Sequence, residues 1–128
     1  MAKSIIIAED DAGTVEAYKI LLSPVKDLSV YTCISAEDAI DRMHSFRYDA
    51  AIFDNGFGEG KMEGIESLPI IREFDKITPI FMISYELTKE DAIKAGATDY
   101  ADKGDWAEAS RLILGKIIPY LNSLQPAY

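Results

Sequence analysis

The stretch Ile5-Ile6-Ile7-Ala8-Glu9-Asp10 decides the fold, because it joins a short apolar run to a pair of carboxylates. The continuous apolar run over Ser4–Ala8 predicts a strand that is buried on both faces, as inner strands of parallel sheets are. The same order, an apolar strand followed by a polar side chain, returns at Asp54, Ser84 and Lys103. The sequence therefore predicts a sheet with several reactive groups at its strand ends.

Strands and helices alternate along the remainder of the chain. The predicted strands are Ser4–Ala8, Leu28–Ile34, Ala50–Phe53, Pro79–Ser84 and Thr98–Ala101. The predicted helices are Asp11–Leu22, a helix capped by Ser35, a helix ending near Phe74 or Asp75, Thr88–Ala95, and Trp106–Leu124. Five strands that alternate with five helices predict an α/β fold with a doubly wound parallel sheet and right-handed crossovers. In such sheets the ligand site lies beyond the carboxyl ends of the strands.

The length and composition fit one globular domain. The chain has 128 residues, of which 48% are hydrophobic and 27% are charged, as in ordinary soluble domains. We expect the domain to span residues 1–124 and residues 125–128 to form a short tail. No apolar run approaches the roughly 20 residues of a membrane span, and the N-terminus lacks the pattern of a signal peptide. We therefore expect a cytoplasmic protein that does not bind membranes.

The net charge of −9 bears on the partners of this domain. Nucleic acid is held mainly by clusters of Lys and Arg, and the sequence has none, so we expect no nucleic-acid binding. The negative charge fits a cation site or simply good solubility. Cys33 is the single cysteine, which excludes an internal disulfide, and its place in an apolar strand predicts a core residue.

Three stretches interrupt the regular pattern. Four glycines within Asn55–Gly64 predict a flexible loop. Pro69 indicates that the third helix either begins there or has a distorted first turn. Gly115 and Pro119 weaken the last helix. This helix carries more apolar residues than one stripe requires, so the surplus forms either a partner surface or a deeper buried face.

The polar residues at the strand ends form an unusual set. Glu9 and Asp10 follow the first strand, Asp54 the third, Ser84 the fourth, and Lys103 the fifth. Carboxylates that meet at one sheet edge repel one another unless a cation lies among them, and oxygen ligands suit Mg²⁺. Ser84 can donate a hydrogen bond to a phosphoryl oxygen, and Lys103 can neutralise its charge.

This arrangement resembles the receiver domain of two-component response regulators, which are CheY-like, over nearly the whole chain. The matching stretches are Ile5–Asp10, Tyr48–Asp54, Thr78–Ser84 and Ala95–Lys103. The resemblance implies a flavodoxin-like strand order 2-1-3-4-5. It also implies Asp54 as phosphoacceptor, Lys103 as phosphate-binding residue, and Ser84 and Tyr100 as switch residues. Glu9, Asp10, Asp54 and the main-chain carbonyl of Gly56 are implied as ligands of Mg²⁺.

The same resemblance implies a function for the domain. A sensor histidine kinase or histidine phosphotransfer protein would phosphorylate Asp54, and the domain would assist its own phosphorylation and dephosphorylation without being a turnover enzyme. Ser84 would move toward the phosphoryl group and Tyr100 would turn inward. A downstream protein would then bind the face formed by the fourth helix, fifth strand and fifth helix.

The chain departs from the family pattern beside the phosphoacceptor. Gly58 and Met62 stand where the family usually has Pro and Gly, so the loop is two residues longer, and Gly104 replaces the usual Pro after the lysine. Glu86 stands where a side chain can tune the lifetime of the acyl phosphate. The alternative function is therefore a degenerate receiver that binds proteins without phosphorylation. An enzyme of the phosphohydrolase type would need a second Asp in place of Gly56.

Several of these residues also have simple structural interpretations. Asp11 is expected to cap the first helix, and Ser84 has the alternative of a satisfied hydroxyl at a strand end. His44 is expected on the surface of the second helix. Tyr100 is either a packing aromatic or a switch residue, and Trp106 is expected to pack at the start of the last helix.

Overall fold

The computed structural model describes residues 2–124, so the predicted tail lies outside the described residues. The strands are β1 (Lys3–Ala8), β2 (Leu28–Cys33), β3 (Ala50–Phe53), β4 (Ile80–Ser84) and β5 (Asp99–Asp102). The helices are α1 (Ala12–Leu22), α2 (Ala36–Ser45), α3 (Gly64–Phe74), α4 (Lys89–Ala95) and α5, which consists of Trp106–Leu112, a π-helical segment Ile113–Ile117 and Ile118–Ser123.

All strand pairs of the sheet are parallel and follow the order β2-β1-β3-β4-β5. This order confirms the predicted doubly wound α/β fold. Because β1 and β3 are neighbours at the centre, their carboxyl ends bring Glu9 and Asp54 to the same edge. The register places Ala8 beside Phe53, one residue before each of these carboxylates.

Alternation along the strands separates the core into two layers. Ile6 and Ala8 of β1 face the layer under α2, α3 and α4, whereas Ile5 and Ile7 face the layer under α1 and α5. These side chains are 0% exposed, as expected for a strand with both faces covered. Cys33 is buried in the first layer and burial raises the pKa of its thiol to about 11, which confirms it as a core residue.

The predicted ends of several elements shift by one residue. β1 begins at Lys3 because the Lys3 amide donates to the Asp27 carbonyl, and β2 ends at Cys33, leaving Ile34 72% exposed. β4 begins at Ile80, although Pro79 still accepts a bond from the Ala51 amide. β5 runs over Asp99–Asp102.

The third helix begins well before Pro69. α3 begins at Gly64, with Glu63 and Glu66 forming a reciprocal capping box at its N-terminus. Pro69 therefore lies inside the helix, where it removes one backbone donor. Of the two interpretations of Pro69, a helix start at the proline is wrong.

The last helix is continuous but changes its winding around Gly115. The Ile118 amide donates to the Ile113 carbonyl across the π-helical segment, and Pro119 follows without a donor of its own. Ile113 and Ile117 are fully buried and Leu114 is 49% exposed. Most of the surplus apolar residues are thus explained by deeper burial.

Candidate functional site

The carboxyl ends of β1 and β3 bring three carboxylates together. Glu9, Asp10 and Asp54 each offer an oxygen, and these oxygens lie within 4.8 Å of one another. Glu9 is 2% exposed and Asp54 is 6% exposed, whereas Asp10 faces solvent. Such crowding of negative oxygens is stable only with compensating positive charge. The donor set, oxygen alone and open to water on one side, fits Mg²⁺.

Lys103 supplies positive charge from the end of β5. Its Nζ lies 2.5 Å from Glu9 Oε1 and 3.1 Å from Asp54 Oδ2. Burial alone would lower the pKa of Lys103, but its hydrogen bond to Glu9 and its attraction to Asp54 outweigh this and raise the pKa. The pKa of Glu9 is raised to about 7, mainly by burial and also by the negative charge of Asp54. The hydrogen bond from Lys103 acts in the opposite direction but is outweighed.

Asp54 opens into a cleft of ≈ 380 Å³. Its Oδ1 accepts a hydrogen bond from the Asn55 amide at 2.8 Å, and its Oδ2 accepts the bond from Lys103. Gly56, the predicted source of a carbonyl ligand, lines the same cleft. The residues around the opening are Asp54, Asn55, Gly56, Glu63, Tyr85, Glu86, Leu87 and Lys103. The Asp54 carboxylate is thus held from two sides and remains accessible.

Ser84 and Tyr100 lie together at the end of β4. The Ser84 Oγ is buried and has no hydrogen-bond partner within residues 2–124. A buried hydroxyl without a partner is costly, so the end of β4 holds a buried donor that is free to take one. The Tyr100 hydroxyl donates to the Ser84 carbonyl at 2.9 Å, and Tyr100 is 8% exposed. Tyr100 is therefore already packed inward.

The loop Asn55–Gly64 is irregular, as predicted, and hydrogen bonds close it at both ends. Asn55 donates through Nδ2 to Glu63 Oε2 at 3.0 Å, accepts at Oδ1 from the Ile65 amide at 2.9 Å, and accepts at its carbonyl from the Gly64 amide at 2.8 Å. A Cβ on Gly64 would lie 2.0 Å from the Asp54 carbonyl oxygen. The longer loop thus keeps Gly64 against the backbone of Asp54.

Sequence reasoning missed three residues of the site: Asn55, Gly64 and Tyr85. The sequence offered a signal for two of them, because Asn55 is a polar residue directly after Asp54 and Gly64 is a glycine at the start of a helix. The contact between Asn55 and Gly64 was missed because it joins the two ends of the loop. The ring of Tyr85 is 57% exposed and lies 5.6 Å from Lys103 Nζ, measured to the ring centroid. A Cβ on Gly104 would lie 3.5 Å from this ring, in ordinary van der Waals contact, and 3.2 Å from Asp102 Oδ1.

Asp11, Trp106 and His44 have the structural roles that the sequence predicts for them. Asp11 Oδ2 accepts from the Thr14 amide at 2.8 Å and caps α1, as predicted. Trp106 stacks on Tyr18 with ring centroids 6.2 Å apart, and His44 is exposed on α2. All peptide bonds within residues 2–124 are trans, including the one that follows Lys103.

Comparison with known proteins agrees with this parallel α/β fold. A family model for the response regulator receiver domain matches residues 5–110. The chain belongs to this family, whose members are the receiver domains of two-component systems. No helix in the described part of the chain is long and apolar enough to cross a membrane.

The individual relatives differ in how much of their length is shared. A protein-glutamate methylesterase/protein-glutamine glutaminase from Nocardioides sp. is 29% identical over 133 residues, covering 95% of this chain and 36% of that protein. The chain thus spans about a third of this relative. A CheY-like receiver domain protein from Methanospirillum hungatei is 23% identical, with a TM-score of 0.77 and 95% of each chain covered. The response regulator domain of Thermotoga maritima CheB is 19% identical, with a TM-score of 0.78, covering 98% of this chain and 100% of that chain. At these identities the two structures show the fold alone.

Proposed function

We propose that this domain is a phosphorylation switch in which Asp54 accepts a phosphoryl group from the phosphohistidine of a sensor kinase or phosphotransfer protein. The observation that carries the proposal is the position of Lys103, whose ammonium group contacts Asp54 and Glu9. A cation and a carboxylate at one accessible opening suit phosphoryl transfer, which depends mainly on positioning and charge. By its resemblance to the family, we place the domain in the cytoplasm.

The chemical step uses the chain's own side chains. An oxygen of the ionised Asp54 carboxylate forms a bond to phosphorus, the bond from phosphorus to the donor imidazole breaks, and the imidazole keeps that electron pair. The product is an acyl phosphate on Asp54. Lys103 neutralises the added charge as a point cation. The hydroxyl of Ser84 can donate to a phosphoryl oxygen, which would give this buried group its missing partner.

We propose that Glu9, Asp10, Asp54 and the Gly56 carbonyl hold Mg²⁺. The ion would offset negative charge on the carboxylates and on the phosphoryl oxygens during transfer. The support is the convergence of the three carboxylates, of which Asp10 faces solvent and leaves room for water ligands. Near-octahedral, water-rich coordination is the preference of Mg²⁺.

The proposed output is the face formed by α4, β5 and α5. A movement of Ser84 toward the phosphate would act on Tyr100, since the two are joined through the Ser84 carbonyl. Next to Tyr100 on β5, Asp99 pairs with Lys89 at the start of α4 and with Lys116 of α5. We propose that a downstream protein reads this face and that a turnover reaction is not the domain's role. Neither a nucleic acid nor a membrane is the proposed partner.

One observation favours the second candidate, a receiver that binds its partner without phosphorylation. Tyr100 is packed inward and hydrogen-bonded without any phosphoryl group on Asp54. If this arrangement is already the binding state, Asp54→Ala would bind the downstream protein as well as the unchanged chain does.

The deciding experiment uses the chain, Mg²⁺ and a small phosphodonor such as acetyl phosphate, followed by mass spectrometry. We expect a gain of one phosphoryl group that maps to Asp54 and is absent from Asp54→Asn. Asp27→Asn is the matched control, because Asp27 is exposed, lies outside the site and has φ 58, which Asn tolerates. Beryllofluoride with Mg²⁺ should shift the amides of Ser84 and Tyr100. Absence of both results would refute the proposal.

A further inference from the structure

A groove runs between α2 and α3, well away from the phosphorylation site. The α2–α3 groove has a volume of ≈ 660 Å³. Both helices form its walls and pack against each other. The rings of His44 and Phe74 meet in an edge-to-face contact, with their centroids 4.8 Å apart. The side chains that line it are Ile40, Asp41, His44, Ser45, Ile70, Glu73 and Phe74.

Exposed apolar side chains extend this groove at one end. Phe46 follows α2 and is 66% exposed, and Ile77 follows α3 and is 74% exposed. Both line a second hollow of ≈ 370 Å³ that shares His44, Ser45 and Phe74 with the groove and whose charged lining residues are Arg47, Asp75 and Lys76. Phe46 comes from the end of α2, and Phe74 and Ile77 come from the end of α3 and the residues after it. Their convergence on one surface is typical of interaction sites rather than of scattered exposed residues.

Two carboxylates flank the apolar floor on opposite sides. Asp41 lies on α2 and Glu73 on α3, and neither forms an ion pair within residues 2–124. The chain as a whole carries a net charge of −9. The described residues that line the groove itself include no Lys or Arg, so a partner that covers this part of the surface would need positive charge on both sides of its apolar face.

The groove lies at the opposite edge of the sheet from Asp54. Phe46 precedes β3 and Ile77 precedes β4, so the hollow opens at the amino ends of these strands. Asp54 and Lys103 follow the carboxyl ends of β3 and β5. A protein bound in the groove would leave the cleft beside Asp54 open.

We propose that the α2–α3 groove binds an amphipathic helix of a partner protein whose apolar face is flanked by Lys or Arg. The two wall helices have ten and eleven residues, which gives about 15–17 Å, or three turns of a bound helix. Helices that lie in such grooves insert apolar anchors at positions i, i+3, i+4 and i+7. A second copy of this chain fits less well, since each copy carries nine net negative charges.

The test uses the ¹⁵N-labelled chain and a synthetic amphipathic peptide of Leu and Lys patterned for a helix. We expect saturable amide shifts at Ile40, Ile70 and Phe74, and no binding of the same peptide with Glu in place of every Lys. Binding of both peptides alike, or shifts confined to the site around Asp54, would overturn the proposal. Sedimentation in the absence of peptide tests self-association, and a dimer that Phe46→Ser abolishes would also overturn it.

Variants separate the apolar and electrostatic parts of the contact. Phe46→Ser and Ile77→Ser should each weaken peptide binding by about tenfold, as expected for exposed anchors. Asp41→Asn combined with Glu73→Gln should weaken binding and flatten its dependence on salt. Ile20→Ser is the matched control, because Ile20 is 70% exposed on α1, away from the groove. Equal losses in Ile20→Ser, or unchanged binding by all groove variants, would contradict the proposal.

Discussion

Lys103 places its ammonium group against two buried carboxylates, Glu9 and Asp54. Lys103→Met keeps most of the side-chain volume and removes the charge that would stabilise the transferring phosphoryl group. We expect the phosphorylation of Asp54 to slow by about a hundredfold, as when one preorganised electrostatic partner is lost. The rate is measured by mass spectrometry with acetyl phosphate and Mg²⁺. Lys94→Met on the exposed side of α4 is the control, and an unchanged rate in Lys103→Met would contradict this role.

Tyr85 lines the same cleft as Asp54 and Lys103, and its ring centroid lies 5.6 Å from Lys103 Nζ. Its contact with the ammonium group is worth about 0.5–1 kcal/mol at an exposed site. We expect Tyr85→Ala to free Lys103, open the cleft and speed phosphorylation by acetyl phosphate by about two- to fivefold. Tyr85→Phe, which keeps the ring, should behave like the unchanged chain. A slower reaction of Tyr85→Ala would mean that the ring positions Lys103 rather than obstructs the cleft.

Gly64 is fixed by its close approach to the acceptor strand. An added Cβ would lie 2.0 Å from the Asp54 carbonyl oxygen, so Gly64→Ala must displace either the loop or β3. We expect a loss of about 3 kcal/mol in the free energy of unfolding, at the upper end of overpacking effects. Chemical denaturation measures this loss. At Gly115, where an added Cβ meets nothing within 4 Å, the same substitution should stabilise the helix by up to about 1 kcal/mol.

Among the secondary-structure elements, Asp99 links β5, α4 and α5. Its carboxylate accepts a hydrogen bond from the Tyr100 amide on β5 and pairs with Lys89 of α4 and Lys116 of α5. Burial alone would raise the pKa of Asp99, but Lys116, the Tyr100 amide and Lys89 outweigh it and lower the pKa below its usual 3.8. The folded chain therefore binds this proton less readily than the unfolded chain does.

Because folding lowers the pKa of Asp99, the effect of Asp99→Asn on stability should depend on pH. The stabilisation by the carboxylate is present above about pH 3.8 and disappears as the pH falls through the lower folded pKa. At pH 7 we expect Asp99→Asn to lower the free energy of unfolding by about 1–2 kcal/mol, and the difference should shrink below pH 3.8. Denaturation at a series of pH values measures it. A difference that stays constant with pH would show that the charge contributes nothing.

The elements themselves could be predicted from the sequence, since their signals are local. Every strand was predicted to within one residue, the first of them from its apolar β-branched run, and Ser35 and Asp11 cap the helices that they were expected to cap. The strand-end rule for parallel sheets is enough to place Glu9 and Asp54 at one edge from the sequence alone. The bonds of Asn55 across its loop and the ring of Tyr85 beside Lys103 could not be predicted, because they depend on contacts between separate segments.

The whole molecule carries a net charge of −9, and part of it is concentrated where Glu9, Asp10 and Asp54 meet. Lys103 compensates only part of this charge. A divalent cation that binds the folded chain and not the unfolded chain stabilises the fold by mass action. Binding of Mg²⁺ should therefore appear as a change in global stability, even without any phosphodonor.

We accordingly expect Mg²⁺ to raise the free energy of unfolding by about 2.7 kcal/mol at a concentration a hundredfold above its Kd. Asp10→Asn removes a solvent-facing ligand without opening a cavity, so most of this gain should be lost while the fold persists. Asp27→Asn, at the other end of the molecule, should keep the full gain. Melting curves across a Mg²⁺ series, at constant ionic strength to exclude general screening, measure the effect. If the unchanged chain shows no gain beyond screening, the three carboxylates do not hold the ion, and the charge of Lys103 alone would have to support phosphorylation of Asp54.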